Sequence, residues 1–195
     1  MAKPFTERNI TEFRSRLTGG GARANLFEVG ITFPDGLGID ERLVSDKVPF
    51  LVKAAEIPAS NLGNIPVPYR GRVLPVAGDR TFDPWTVTVI NDTDFLIRDA
   101  MEQWSNSIND LQTAQGTINP EVYQTKAEVK QLSREGSAPG DPEKLLRQYN
   151  FEGIYPNVVS SIPLDFGATD QIQEFQVTFN YLFYEVTNTV SGVNF

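Results

Sequence analysis

From Glu174 to Tyr184 the side chains sort by parity: Phe175, Val177, Phe179, Tyr181 and Phe183 alternate with Glu174, Gln176, Thr178 and Asn180. Successive side chains on a strand point to opposite faces, so the pattern predicts a β-strand with one apolar face. Five such side chains, buried at roughly 1.5–3 kcal/mol each, contribute on the order of 10 kcal/mol before conformational entropy is subtracted. That face builds a core. The other carries a carboxylate, amides and a hydroxyl, then turns apolar at Leu182 and Tyr184. It lacks the Lys or Arg that usually deters edge pairing. A face of this kind is covered by something, or looks onto a surface where positive charge is unwelcome, and both readings favour assembly over catalysis.

The chain has 195 residues, 40% of them hydrophobic, enough for one well-buried domain with an appended arm. There are 17 Lys and Arg against 25 Asp and Glu, a net charge of −8. A chain this acidic repels a polyanion and is unsuited to gripping phosphates or reading bases. Cysteine and histidine are both absent. The common zinc sites, Cys-His and Ser-His-Asp constellations and the usual proton-transfer side chain are therefore excluded, and no cofactor is expected. The amino terminus has no apolar signal-like run and no stretch approaches the roughly 18 apolar residues of a membrane span, so a protein made and used in soluble form is expected.

Along the chain, Phe5, Ile10, Phe13 and Leu17 form a weak helical stripe ending at Gly19, Gly20 and Gly21. This is either a terminal helix packed on its own domain or an arm that reaches a neighbour. Residues 26–33 alternate as a strand ended by Pro34, Asp35 and Gly36, and a long loop is expected from there to Val48. A second strand is expected roughly from Phe50 to Glu56. Ile65–Tyr69 and Val73–Ala77 read as a short hairpin turned at Arg70, Gly71 and Arg72, its three prolines favouring edge positions. Phe82–Ile90 is a strand with Trp85, Val87 and Val89 on one face, and Asn91 and Asp92 stop it and cap the next element. Phe95, Ile97, Ala100, Met101, Trp104, Ile108 and Leu111 recur at three- and four-residue spacing, the stripe of one helix on a sheet. Val122–Leu132 and Lys144–Ile154 form a hairpin with its tip at residues 136–141. The expected fold is mainly β: an antiparallel barrel or sandwich with one flanking α-helix and a short N-terminal helical arm.

Candidate catalytic or metal sites are weak. Gly19–Gly21 lacks the strand and Lys-Ser or Lys-Thr of a phosphate loop, and Asp35, Asp40 and Glu41, or Asp92 and Asp94, lack the spacing of a full calcium cage. A carboxylate pair for glycoside hydrolysis is the enzyme alternative, though nothing places two acids around a cleft. Arg80 lies between Asp79 and Asp83, before an apolar strand. It makes either a local ion pair worth at most about 1 kcal/mol or an ion pair across a subunit contact.

The run VKAAEIPASNLGNIPVPYRGRVLPVAGDRTFDPWTVTVIND, residues 52–92, resembles the tail tube proteins of contractile-tailed bacteriophages of the T-even type, most closely at Ile65–Val67 and Val76–Asp92. Residues 24–29, 153–157, 164–165 and 174–179 extend the likeness over most of the chain. The departures are the 34–48 segment and the 187–195 tail. The division expected is an arm and hinge at 1–23, a tail tube β-domain at 24–186 and a tail at 187–195.

The resemblance implies a virion structural protein, not an enzyme. It implies hexameric rings whose strands join into a continuous inner β-barrel, stacked as a hollow tube inside the sheath. Such a tube starts at baseplate initiating proteins, grows around the tape-measure protein and passes DNA without specific binding. Six copies at −8 each make −48 per ring, and a neutral or acidic bore leaves DNA free to slide. Parity selects Glu28, Thr86, Thr88, Glu152, Glu174, Gln176 and Thr178 as candidate bore residues. Arg80, Asp79, Asp83, Leu182 and Tyr184 are candidate inter-subunit residues. The place implied is the inner tube of the virion tail, after synthesis in the host cytoplasm, with no membrane anchor. The alternatives are an initiator or terminator at one tube end, or, in another class, a tail-associated carbohydrate-binding or glycosidase β-domain.

Overall fold

A computed structural model describes residues 9–17, 21–134 and 145–187. Helix α1 (Ile10–Arg16) is capped by Asn9, whose side chain accepts from the Glu12 N–H at 2.9 Å, and none of its residues is buried. Gly19, Gly20, the 136–141 hairpin tip and nearly all of the 187–195 tail lie outside the described residues.

The chain continues through β1 (Phe27–Ile31), α2 (Glu41–Leu51), β2 (Val52–Ala55), β3 (Ser60–Tyr69), β4 (Arg72–Phe82) and β5 (Trp85–Ile90). It is completed by α3 (Leu96–Ile108), α4 (Pro120–Tyr123), β6 (Thr125–Leu132), β7 (Leu145–Val159), β8 (Glu174–Asn180) and β9 (Phe183–Thr187). Strands pair antiparallel in the order β1-β6-β7-β8-β5-β2, with β9 added to β7, and β3 and β4 form a separate two-stranded ribbon. The sheet does not close on itself, so the architecture is mainly β and sandwich-like rather than a closed barrel.

Strand β7 organises it. Its first half pairs with β6 and β9 and its second half with β8. Between the halves stands Gly153, at φ +68°, a conformation other residues reach only with strain. A Cβ there would lie 2.7 Å from the Leu182 side chain. The bend brings the inner faces of the two half-sheets together, and Trp85 of β5 stacks on Phe151 of β7 at 4.6 Å between ring centroids. Helices α2 and α3 supply Val44, Val48, Ile97, Ala100, Met101 and Trp104 to the same core. Lys47 of α2 reaches Asp92 at 3.1 Å and also bonds Asp94 ahead of α3. Hydrogen bonding from Lys47 holds the Asp94 carboxyl below its ordinary pKa.

Several expectations change. The 34–48 loop contains most of α2, and Phe50 belongs to that exposed helix end rather than to a strand, which begins at Val52. Pro49 inside the helix and Gly36 and Gly38 ahead of it hid a two-residue stripe, Val44 and Val48. Phe82 ends β4, and Asp83-Pro84 separates it from β5. Asn91 and Asp92 do not cap α3. Asp94 does so, accepting from the Leu96 N–H at 3.1 Å, while Phe95 occupies the left-handed cap position. Leu111 lies past the helix end and is exposed. Residues 122 and 123 belong to α4, and β7 runs five residues beyond Ile154, to Val159.

The parity strand is two strands. Phe175, Val177 and Phe179 are buried as expected, but the register breaks at Tyr181 and Leu182. Beyond the break Phe183 is exposed, while Tyr184 and Val186 pack on the core. Strand β8 also lies between β5 and β7, so its lack of basic residues reflects an interior position, not an edge.

Candidate functional site

The β3–β4 ribbon is the most unusual surface of the chain. Arg70 and Gly71 turn it at φ +46° and +80°, the two left-handed positions that a tight hairpin requires. Register pairs Tyr69 with Arg72, Val67 with Leu74 and Ile65 with Val76. Opposed residues and every second neighbour share a face, so Ile65, Val67, Tyr69, Leu74 and Val76 form one apolar stripe. Each is 42–67% exposed. Pro66, Pro68 and Pro75 occupy the alternate positions. A proline fits such a ladder only where its missing N–H would have pointed outward, so both edges lose donors for a further strand. The ribbon therefore offers a side-chain face, not an edge. The prolines were legible in the sequence as edge markers, but the stripe between them was missed. Its signal was the alternation Ile65, Val67, Tyr69.

A second exposed apolar surface is the 160–173 connection between β7 and β8. Leu164 is 81% and Ile172 72% exposed, and Phe166 is fully exposed. With Ile162, Asp165 and Gln171 they border an open groove of about 830 Å³. Asp165 shapes the loop by accepting from the Gly167 N–H at 2.8 Å. Sequence reasoning missed this site because the segment has no strand or helix period.

The sequence-derived candidates fall into separate groups. Thr86, Thr88, Glu174, Gln176 and Thr178 lie together on the outer face of β5 and β8, with Thr86 opposite Thr178 and Thr88 opposite Gln176. The Thr86 and Thr178 hydroxyls are 3.1 Å apart, and Glu174 pairs with Lys53 at 2.5 Å. Glu28 and Glu152 lie on the other half-sheet. Glu152 pairs with Lys126 at 2.9 Å, and Glu28 stands opposite Lys130.

At the ribbon's base, Arg80 donates to the Ser60 hydroxyl and has no carboxylate in ion-pair range among the described residues. Asp79 is exposed beside it. Asp83 accepts from Asn61 at 3.0 Å, and its carbonyl accepts from the Tyr181 hydroxyl at 2.9 Å. Burial, reinforced by the negative charges that Tyr184 and Asp83 would set beside a phenolate, pushes the Tyr181 pKa up to about 12. Its hydroxyl therefore keeps the proton it donates. Tyr184 packs on Phe82 and Phe151 of its own chain, whereas Leu182 is exposed against Gly153.

Among the described residues no group of three or more acids is placed to hold a metal ion, and no helix is long and apolar enough to cross a membrane. The groove and the ribbon both expose apolar side chains to solvent, and Asp165 and Glu174 also line the groove.

Residues 22–187 match the family model of the phage tail tube protein. The chain is 31% identical over 172 residues to the tail tube protein gp19 of Enterobacteria phage T4, covering 86% of this chain and 93% of that one. It is 26% identical over 174 residues to the tail tube protein of Serratia phage KSP90, covering 88% and 93%. The fold superposes on a chain of the sheath/tube terminator structure of the PVC extracellular contractile injection system with a TM-score of 0.59 at 12% identity, covering 86% and 96%. An Hcp protein crystal structure gives a TM-score of 0.50 at 12% identity, covering 87% and 96%. The chain belongs to the phage tail tube protein family, structural proteins of the tail's inner tube.

Proposed function

We propose that this chain polymerises with copies of itself into stacked hexameric rings, the DNA conduit inside a contractile sheath. The tube begins on baseplate proteins and is measured by a tape-measure protein. The chain performs no catalysis and is made in the host cytoplasm before it enters the tail. The observation that carries this reading is the apolar stripe of the β3–β4 ribbon. Five adjoining apolar side chains stand in water on a ribbon that pairs with no other strand among the described residues, and burying them within one copy serves no fold contact there. They mark a surface that another protein covers.

Two further assignments belong to the same reading. The outer face of β5 and β8 lines the bore, since hydroxyls, an amide and one neutralised Lys53–Glu174 pair offer DNA no free cation to displace its counterions. Arg80, which has no carboxylate in ion-pair range among the described residues, pairs with one on a neighbouring copy.

Sedimentation and negative-stain microscopy of the purified protein test the assembly. Tubes or rings are expected, and material that stays monomeric at high concentration would sink the proposal. Arg80→Ala is expected to lower the pelletable fraction severalfold while the thermal midpoint stays within a few degrees. A collapse in midpoint would make Arg80 a folding residue instead. Gln176→Lys with Thr178→Lys should still form tubes but slow genome release from reconstituted particles, and unchanged release would remove the bore assignment.

A further inference from the structure

The ribbon needs a receiving surface, and three observations on this chain point to the same one. The first is position. The ribbon leaves the sheet after Ala55 and returns at Trp85, which pairs with Phe179, the far end of β8. The 160–173 loop enters at Glu174, which pairs with Ile90, the opposite end of β5. Ribbon and loop therefore project from opposite ends of the same strands. The second is chemistry: each is a cluster of exposed apolar side chains, and the loop borders a groove of about 830 Å³. The third is charge. From Ile57 to Gly78 there is no acid, and the ribbon tip carries Arg70 and Arg72. From Gln148 to the carboxyl end there is no Lys or Arg, and the loop carries Asp165 and Asp170.

We infer that the 160–173 groove is the socket for the β3–β4 ribbon of a second copy, with Tyr69 and Leu74 set against Leu164 and Phe166 and the tip arginines beside Asp165 and Asp170. The inference rests on the proposed self-assembly and names its receiving surface. A ribbon at one end and a socket at the other make a heterologous contact, in which each copy gives one and takes one. Such a contact propagates along an axis without closing. Complementary charge sets which surface meets which, and apolar burial supplies most of the affinity.

The test uses two full-length variants whose altered side chains are all exposed in the monomer: Tyr69→Ser with Leu74→Ser, and Leu164→Ser with Phe166→Ser. Each alone is expected to lose at least tenfold in pelletable polymer with circular dichroism unchanged. Mixed, they retain one intact ribbon and one intact socket between them. Analytical ultracentrifugation should then find a discrete species of twice the mass of either variant, with no long tubes. A socket variant that polymerises like the parent while the ribbon variant does not, or a mixture no larger than its parts, would overturn the socket assignment alone. A ribbon variant that polymerises like the parent would overturn the ribbon reading beneath it. As a second route, the chain has no cysteine, so Tyr69→Cys with Phe166→Cys should give a ladder of disulfide-linked multimers on oxidation. Tubes yielding only monomer would count against the contact.

Discussion

Replacing Trp85 with alanine is expected to destabilise the folded chain by about 3–5 kcal/mol, the range for deleting a large buried aromatic. Trp85 is fully buried and joins the two half-sheets, stacked on Phe151 and packed at 5.5 Å on Phe179. Its indole N–H donates to the Glu56 carbonyl at 2.8 Å, so the substitution also leaves a partly buried acceptor without its partner. A domain of this size has roughly 5–15 kcal/mol in total, and the loss would be a large part of it. Urea unfolding at concentrations too low for polymer reads the effect directly. A cost below about 1 kcal/mol, within what a surface change produces, would mean that the half-sheets are not held together at this stack.

Excising the β3–β4 ribbon is expected to do the reverse, sparing the fold and strongly weakening assembly. Asn61 and Thr81 are paired across the ribbon's base, so an Asn-Gly turn in place of residues 62–80 can close the shortened hairpin. None of the removed residues belongs to the core, and the unfolding free energy should change by less than about 1 kcal/mol. Burying each of the five stripe side chains is worth up to about 1.5–3 kcal/mol, and every 1.4 kcal/mol is tenfold in association. A hundredfold rise in the concentration needed for polymer is therefore a conservative expectation. Light scattering against protein concentration measures it, and a variant that assembles at the parent's threshold would remove the ribbon from the interface.

These two results would separate fold from assembly, and the two differ in how far they were legible. The alternations of Trp85, Val87 and Val89 and of Phe175, Val177 and Phe179 announced the paired strands β5 and β8, because a half-buried strand shows its period in its own residues. The three- and four-residue spacing from Ile97 to Trp104 announced α3 in the same way. Helix α2 was harder, since only Val44 and Val48 are fully buried along its 11 residues and Pro49 interrupts the pattern. The assembly surfaces were harder still. An exposed apolar side chain looks the same in sequence as a buried one, so Tyr69 and Phe166 carried no mark of standing in water.

The sequence by itself determined the β-rich core, the prolines that bar further strand pairing on the ribbon, and the kinship carried by residues 52–92. Each of these resides in neighbouring residues, where side-chain period and backbone chemistry act locally. Only the tertiary structure decided that Gly153 bends β7 between two sets of partners, so that parity reverses between Phe179 and Tyr184. It alone set the ribbon and the 160–173 groove at opposite ends of the same sheet. Strand order and register are relations between distant segments, settled by which faces can be buried together, and no local pattern encodes them.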